Sequence, residues 1–180
     1  MISHPLMPRV GEVVALSRWS RLASVGAGGD GEVQRYGVVD AHYHVAGYHV
    51  AGATAALLVA TDLSFATVTA GHVRDLPEVA PYRPGRFAAR ELPAIRAVLS
   101  AAARLDLLVI DGCVHLDPDG RPGLGAHVHA WLGAPVVGVA RTAFRTASHA
   151  VEVRRSQVRR PLYVTAVGVP ALEAAAIVDG

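Results

Sequence analysis

Three carboxylates in this 180-residue sequence stand where a carboxylate is expensive. In GVVDAHYH, strand alternation puts Val38, Asp40, His42 and His44 on one face. In LLVIDG, Asp111 closes an apolar run just before a glycine, the place where ligands of sheet proteins gather. From Gly85 onward the pattern is helical. At about 100° per residue, Phe87, Ala88, Glu91, Leu92, Ile95, Val98, Leu99 and Ala102 share one side, and Arg86, Arg90, Arg96 and Arg104 share the other. Glu91 therefore falls inside an apolar stripe, where an unpaired carboxylate costs several kcal/mol, on the order of a buried charge.

If the first and fourth strands are neighbours, Asp40 and Asp111 approach each other and the helix carrying Glu91 packs beside them. Three converging carboxylates repel unless a divalent cation neutralises them, and hard oxygen donors suit Mg²⁺ or Mn²⁺. Such an ion lowers the pKa of bound water and stabilises charge on a phosphoryl group under attack. A plainer reading has Glu91 bonded to an Arg or to helix N–H groups, with Asp40 and Asp111 capping turns. Spacing alone leans to the plainer one.

The elements that must position these acids follow from the hydrophobic pattern. YGVVDAHYHV, ATAALLVAT and FATVTAGHV read as three strands joined by short turns. After the PYRPG corner and the helix, which runs through about Arg104, LDLLVIDG reads as a strand buried on both faces. The Gly- and Pro-rich loop CVHLDPDGRPGLG leads to a helix in AHVHAWLG and a buried strand in APVVGVAR. AVEVRRS and RPLYVTAVG form a final hairpin, and PALEAAAIVDG closes as a short helix. Antiparallel strands followed by alternating helix and strand predict a single mixed α/β domain over residues 36–180. Residues 1–35 form a weakly structured or short-helical extension ending in the flexible GAGGDGE.

Composition narrows the classes. Hydrophobic residues make up 52% and charged ones 18%, which excludes general disorder. The net charge of +2 is too small to argue for nucleic acid, and the use of Arg for all 17 basic residues reads as GC-rich coding. A single cysteine, Cys113, excludes an internal disulfide and fits a reducing cytoplasm. The least polar run, Val45 to Thr61, falls short of a membrane span, and no secretory signal pattern opens the chain. The expectation is a soluble, cytoplasmic monomer.

Seven segments, GVVDAHY, PYRPG, RELPAI, DLLVIDG, GLGAHV, APVVGVAR and RPLYVTAVG, occur in the order and spacing of the endonuclease V family, over about residues 36–178. The sequence resembles that family, whose fold is ribonuclease-H-like, a mixed sheet flanked by helices. The resemblance implies a divalent-metal-dependent endonuclease acting near deaminated purines such as inosine in DNA, with RNA as a further partner. It maps the family's acidic cluster onto Asp40, Glu91 and Asp111. Its Pro-Tyr-x-Pro wedge maps onto Pro81, Tyr82, Arg83 and Pro84, followed by Gly85, with Tyr82 filling the gap left by a flipped base. Gly112 and Val114 fall where the family touches the flipped purine. The implied reaction cleaves the second phosphodiester 3′ to the lesion, leaving 3′-hydroxyl and 5′-phosphate ends.

The sequence departs from the family in several places. Arg141 stands where Lys is usual; it can bind phosphate but stays charged. The loop after Asp111 carries Asp117 and Asp119 in place of basic residues, and acids weaken binding to a phosphate backbone. The family's Pro- and Arg-containing tail with a further His has no counterpart before Gly180. Two rival functions follow: a nucleic-acid-binding relative that has lost turnover, and a nuclease with an altered substrate.

His42 and His44, two apart on one strand face, could bind zinc as in the His-x-His strand of metal-dependent amidohydrolases, but the remaining ligands of that much longer barrel are missing. His42 is expected to border the acids, and His44 or His49 to be exposed. One of His127 and His129 is expected to be a packing residue, as are Trp19 and Trp131. Arg154, Arg155, Arg159 and Arg160 either line a nucleic-acid channel or edge a solvated hairpin. Cys113 has no base in sequence to make it a nucleophile.

Overall fold

The computed structural model describes residues 33–46, 49–81, 87–154 and 160–180, with only the backbone course given for 45, 46 and 49–51. Three strands come first: β1 (Tyr36–Ala46), β2 (His49–Ala60) and β3 (Val68–Leu76). Helix α1 (Phe87–Leu99) precedes β4 (Leu107–Asp111), and α2 (Leu124–Leu132) precedes β5 (Val136–Ala140). Strands β6 (Val151–Val153) and β7 (Leu162–Val167) and helix α3 (Ala171–Asp179) complete the fold. They make one seven-stranded sheet in the order β3-β2-β1-β4-β5-β7-β6. β1 pairs antiparallel with β2 and parallel with β4, which itself runs parallel to β5. The expected adjacency of first and fourth strands is therefore present, as is the final hairpin.

Alternation sorts the core into two layers. Val39, Leu57, Leu108 and Ile110 face α1 and α2, meeting Ile95, Val98 and Val128. Val38, Val109, Val137 and Val164 face α3, meeting Ala174, Ile177 and Val178. Among the described residues no helix is long and apolar enough to cross a membrane. Helix α1 ends at Leu99, earlier than expected, and Ser100 to Ala102 continue as turns. Pro93 lies inside it, but Pro93 and Ala89 are both exposed, so the carbonyl deprived of its N–H partner meets water. Its buried side is Glu91, Ala94, Ile95, Val98 and Leu99. Phe87, assigned to that side by periodicity, is exposed at the first position of the described helix.

The segment after β4 is clamped. Gly112 takes φ +122°, a backbone state that a side chain resists, and its N–H donates to Val139 O at 2.9 Å. The Val114 N–H donates to Thr165 Oγ1 at 2.8 Å, and both residues are buried. A Cβ on Gly138 of β5 would lie 2.5 Å from Gly112 O and 2.8 Å from Val114 N. Bare backbone at position 138 is thus what lets the chain cross β5 directly after Asp111.

Two outcomes follow. Gly138→Ala is expected to lose about 1–3 kcal/mol, because the clash is with backbone that has little room to give. Thr165→Val is expected to lose a comparable amount, about 1–3 kcal/mol, by orphaning a buried N–H while preserving shape. Chemical denaturation of each variant measures both, and an unchanged midpoint for Gly138→Ala would show that the crossing is loosely held.

A candidate active site at the carboxyl end of the central strands

The ladder between β1 and β4 runs to Val39 opposite Ile110. One rung further, Asp40 stands opposite Asp111, with backbones roughly 5 Å apart as in any paired strands. Both project on the side of Val38 and Val109, two residues earlier. β4 stops at Asp111 while β1 continues to Ala46, so past this rung β1 is paired on the β2 side alone. The result is a notch in the sheet, and Glu91 reaches it from α1 on the opposite face.

Glu91 is 6% exposed. Burial pushes its carboxyl up to about 7; Asp40 and Asp111 push it the same way, while Tyr43 and Arg90 oppose them. Burial also raises the Asp111 carboxyl, Asp40 adds to the rise, and the positive charge of Arg141 offsets part of it. Asp111 as a residue is open to solvent, so water screens some of this effect. Asp40 Oδ1 accepts the N–H of Ala41 at 2.7 Å. The three carboxylates thus feel one another. They do not form a finished coordination shell: among the described residues, no group of three or more His, Cys, Asp or Glu is arranged to hold a metal ion.

No ion pair to Glu91 occurs among the described residues, where the salt bridge present joins Arg154 to Glu152 at 3.0 Å. The Arg90 guanidinium instead lies 3.9 Å from the ring centroid of Tyr43, a cation–π contact. Periodicity placed Arg90 on the solvent side, but the ring of Tyr43 draws it inward. Arg90 Nε and the Tyr43 hydroxyl are both buried without a hydrogen-bond partner. Glu91 is close enough to interact with that hydroxyl and helps burial raise the phenol well above its ordinary value, yet no aligned hydrogen bond forms between them. Three acids, an orphaned hydroxyl and hard oxygen donors throughout make a set chemically suited to Mg²⁺ or Mn²⁺.

Arg141 follows β5 directly, exposed, with its charge felt at Asp111. Gly112 borders the notch and is half-buried. Val114 does not line it: its side chain is fully buried in the core, and its N–H is engaged by Thr165. Pro81 is exposed, and Tyr82, Arg83, Pro84 and Gly85 lie outside the described residues. Asp117 shapes its loop, accepting the Arg121 N–H at 2.9 Å. Burial raises the Cys113 thiol and Asp111 raises it further, so a thiolate is disfavoured there.

Elsewhere, His129 Nδ1 meets Ala134 O at 2.8 Å, the expected packing role, and His127 is exposed. Trp131 is 42% exposed with Arg96 stacked over it at 5.7 Å, so it is not the packing residue expected. Trp19, Arg155, Arg159 and the His49 side chain lie outside the described residues. Tyr43, Arg90, Gly138 and Thr165 escaped sequence reasoning. Only Thr165, a hydroxyl inside the apolar run LYVTAV, carried a visible signal.

A mixed sheet with one acid midway along its first strand, another at the end of the adjacent fourth, and a third on the intervening helix fits the ribonuclease-H-like class. Within it, this chain belongs to the Endonuclease V family, whose model matches residues 25–174. Endonuclease V of Xanthomonas campestris pv. campestris (strain 8004) is 42% identical over 71 residues, covering 39% of this chain and 30% of that protein. The Azotobacter vinelandii enzyme is 36% identical over 91 residues, 50% of this chain and 41% of that one. The chain therefore spans well under half the length of the curated relatives it matches. Among solved structures, Endonuclease V from Streptomyces avermitilis superposes with a TM-score of 0.62 at 25% identity, covering 93% of this chain and 78% of its own. The fold also matches, at TM-score 0.64 and 16% identity over 81% and 75% of the two chains, Ciona intestinalis Endonuclease V, solved with a 24mer DNA containing an inosine followed by a ribo-adenosine.

Because the folded-state carboxyl of Glu91 lies near 7 against an ordinary 4.5, its contribution to stability is complete below about pH 4.5 and is lost as pH rises through 7. Metal-free protein is therefore expected to melt at a lower temperature at about pH 8 than at about pH 5. Glu91→Gln, neutral at both, is expected to narrow that difference. Thermal scans in EDTA measure it, and an identical pH dependence in the variant would mean that Glu91 is not the strained group.

Proposed function

We propose that this protein is a divalent-metal-dependent endonuclease that hydrolyses a phosphodiester near a deaminated purine, inosine foremost, in DNA and also in RNA. The observation that carries the reading is the approach of Asp40, Asp111 and the buried Glu91 at one notch of the sheet, where Asp40 and Asp111 raise the Glu91 carboxyl and Asp40 raises that of Asp111. Family membership and the inosine-containing DNA bound by the Ciona relative support it.

Asp40, Glu91 and Asp111 would hold Mg²⁺ or Mn²⁺. When bound, the cation supplies Lewis-acid stabilisation of the charge that develops on the phosphoryl group. Arg141, exposed beside Asp111, contacts a phosphate and stays charged at every working pH. Arg90 and Tyr43 wall the buried side of Glu91 and keep its carboxyl facing the notch. Gly112 gives the substrate close approach to backbone. In the family-derived part of this reading, Tyr82 with Pro81, Arg83, Pro84 and Gly85 wedges the duplex where the base leaves it. A cytoplasmic, monomeric protein is the setting proposed for this chemistry.

The second reading, a nucleic-acid-binding relative without turnover, draws on two observations: the acids lack a closed shell, and Arg141 replaces a titratable Lys. Nicking of an inosine-containing duplex with Mg²⁺, with Mn²⁺ and with EDTA decides between them. Cleavage is expected with either metal, none with EDTA, and a fall of at least about 100-fold in Asp111→Asn. Binding of duplex and Mn²⁺ without cleavage would leave the binding reading in place of the enzymatic one. Cleavage that survives Asp111→Asn would refute the assignment of the acids.

A further inference from the structure

The strand that carries Asp40 also carries a hydrogen-bonded string with no part in the chemistry above. His42 and His44 follow Asp40 on the same face of β1, at steps of about 7 Å each for a pleated strand. Opposite them on β2 stands Thr54, and opposite Thr54 on β3 stands Asp75. His44 Nε2 lies 2.7 Å from Thr54 Oγ1, and the Thr54 hydroxyl donates to Asp75 Oδ1. A hydroxyl has one proton. Since that proton goes to Asp75, Thr54 can only accept from His44, so Nε2 carries a hydrogen and the ring is fixed in orientation.

Two backbone features accompany this arrangement. His44 pairs with Gly52, where a Cβ would sit 2.5 Å from Leu76 O, so bare backbone there lets β2 lie close against the end of β3. Directly after His44 the β1–β2 register shifts between His44 and Val45, the kind of irregularity that re-aims side chains beside a site. The His42 ring stands edge-on to His44, with centroids 5.7 Å apart at 76°. His42 itself is exposed. The string therefore holds His44, and His44 buttresses a solvent-facing imidazole one side-chain step from Asp40. Asp75 and Thr54 face the same side, and no third imidazole, thiol or carboxylate joins the two rings as metal ligands among the described residues.

We propose that His42 is a phosphate contact on β1, donating to the phosphate next to the scissile one, with His44, Thr54 and Asp75 as positioning residues. This rests on the nucleic-acid-cleaving reading and extends it to the strand that flanks the cut. A nucleic-acid chain entering the notch at Asp40 must pass over this face, since β1, β2 and β3 extend beyond the acids and no other described element covers His42. Imidazole N–H groups aimed from a rigid sheet suit phosphate oxygens, and contacts of that kind set register without reading sequence.

The test is binding, separated from cleavage. A fluorescent inosine-containing duplex and a plain duplex of the same length are titrated with the full chain in EDTA, and affinity is compared among variants. His42→Ala is expected to weaken both duplexes by about tenfold, the loss of one hydrogen bond to a charged group. Thr54→Val, which keeps shape and removes the hydroxyl, is expected to weaken both several-fold, whereas Thr54→Ser restores wild-type affinity. Circular dichroism and melting temperature accompany each variant, and the serine rescue separates positioning from general damage to the sheet. Wild-type affinity in His42→Ala overturns the proposal, and so does a loss confined to the inosine duplex, which would make His42 a base contact. Failure of the wild-type chain to bind either duplex removes the nucleic-acid reading itself, a result distinct from indifference to these substitutions.

Discussion

A carboxylate held away from water without an ion pair among the described residues is the constraint on which the rest of this structure turns. Glu91 is buried on α1, within the field of Asp40 and Asp111. Such a group is tolerated only where the surrounding scaffold is stable enough to hold it, and the two-layer core supplies that stability on both faces of the sheet. The neighbours respond to it in turn. Arg90 folds over Tyr43 instead of extending into solvent, which brings one positive charge near Glu91 without neutralising it. The site is therefore poised: its charge is compensated enough to fold and uncompensated enough to favour a cation.

The second determinant is rigidity immediately after Asp111. Gly112, Cys113 and Val114 cross β5 at a distance that admits no side chain at position 138, and Val114 is anchored to Thr165. Further backbone bonds run from Gly123 N–H to Val114 O at 2.7 Å and from Gly125 N–H to Cys113 O at 3.1 Å. The turn that carries the last acid is thus tied to β5, β7 and the start of α2. Precision of the carboxylate is achieved by backbone, away from the loops that vary most easily.

Much of this was legible in the sequence, for reasons that can be named. The strand at LDLLVIDG is apolar throughout because helices cover both of its faces, and Asp111 stood out against that run. Alternation in GVVDAHYH separated Asp40 from Val39 correctly, since one-residue alternation is a strict property of pleated chain. Helical periodicity found Glu91 but misplaced Phe87 and Arg90, because it knows angle and not where the helix starts or which aromatic waits beneath it. Val114 was placed at the base pocket by the family resemblance alone, yet after the turn at Gly112 its side chain is fully buried in the core. Gly138 was invisible, because its importance depends on a chain segment that approaches from elsewhere in the sequence.

Among the described residues, the stretch of β1 from Asp40 to Ala46 has one side without a sheet neighbour. That open edge leaves a row of amide and carbonyl groups ready to accept a foreign polypeptide in β pairing. The register shift at His44 and Val45, where β2 carries one extra residue, increases the local twist of the pair. Twisting there spoils the template for edge-to-edge association, so a distortion placed beside the acids also guards the protein against sticking to its own kind.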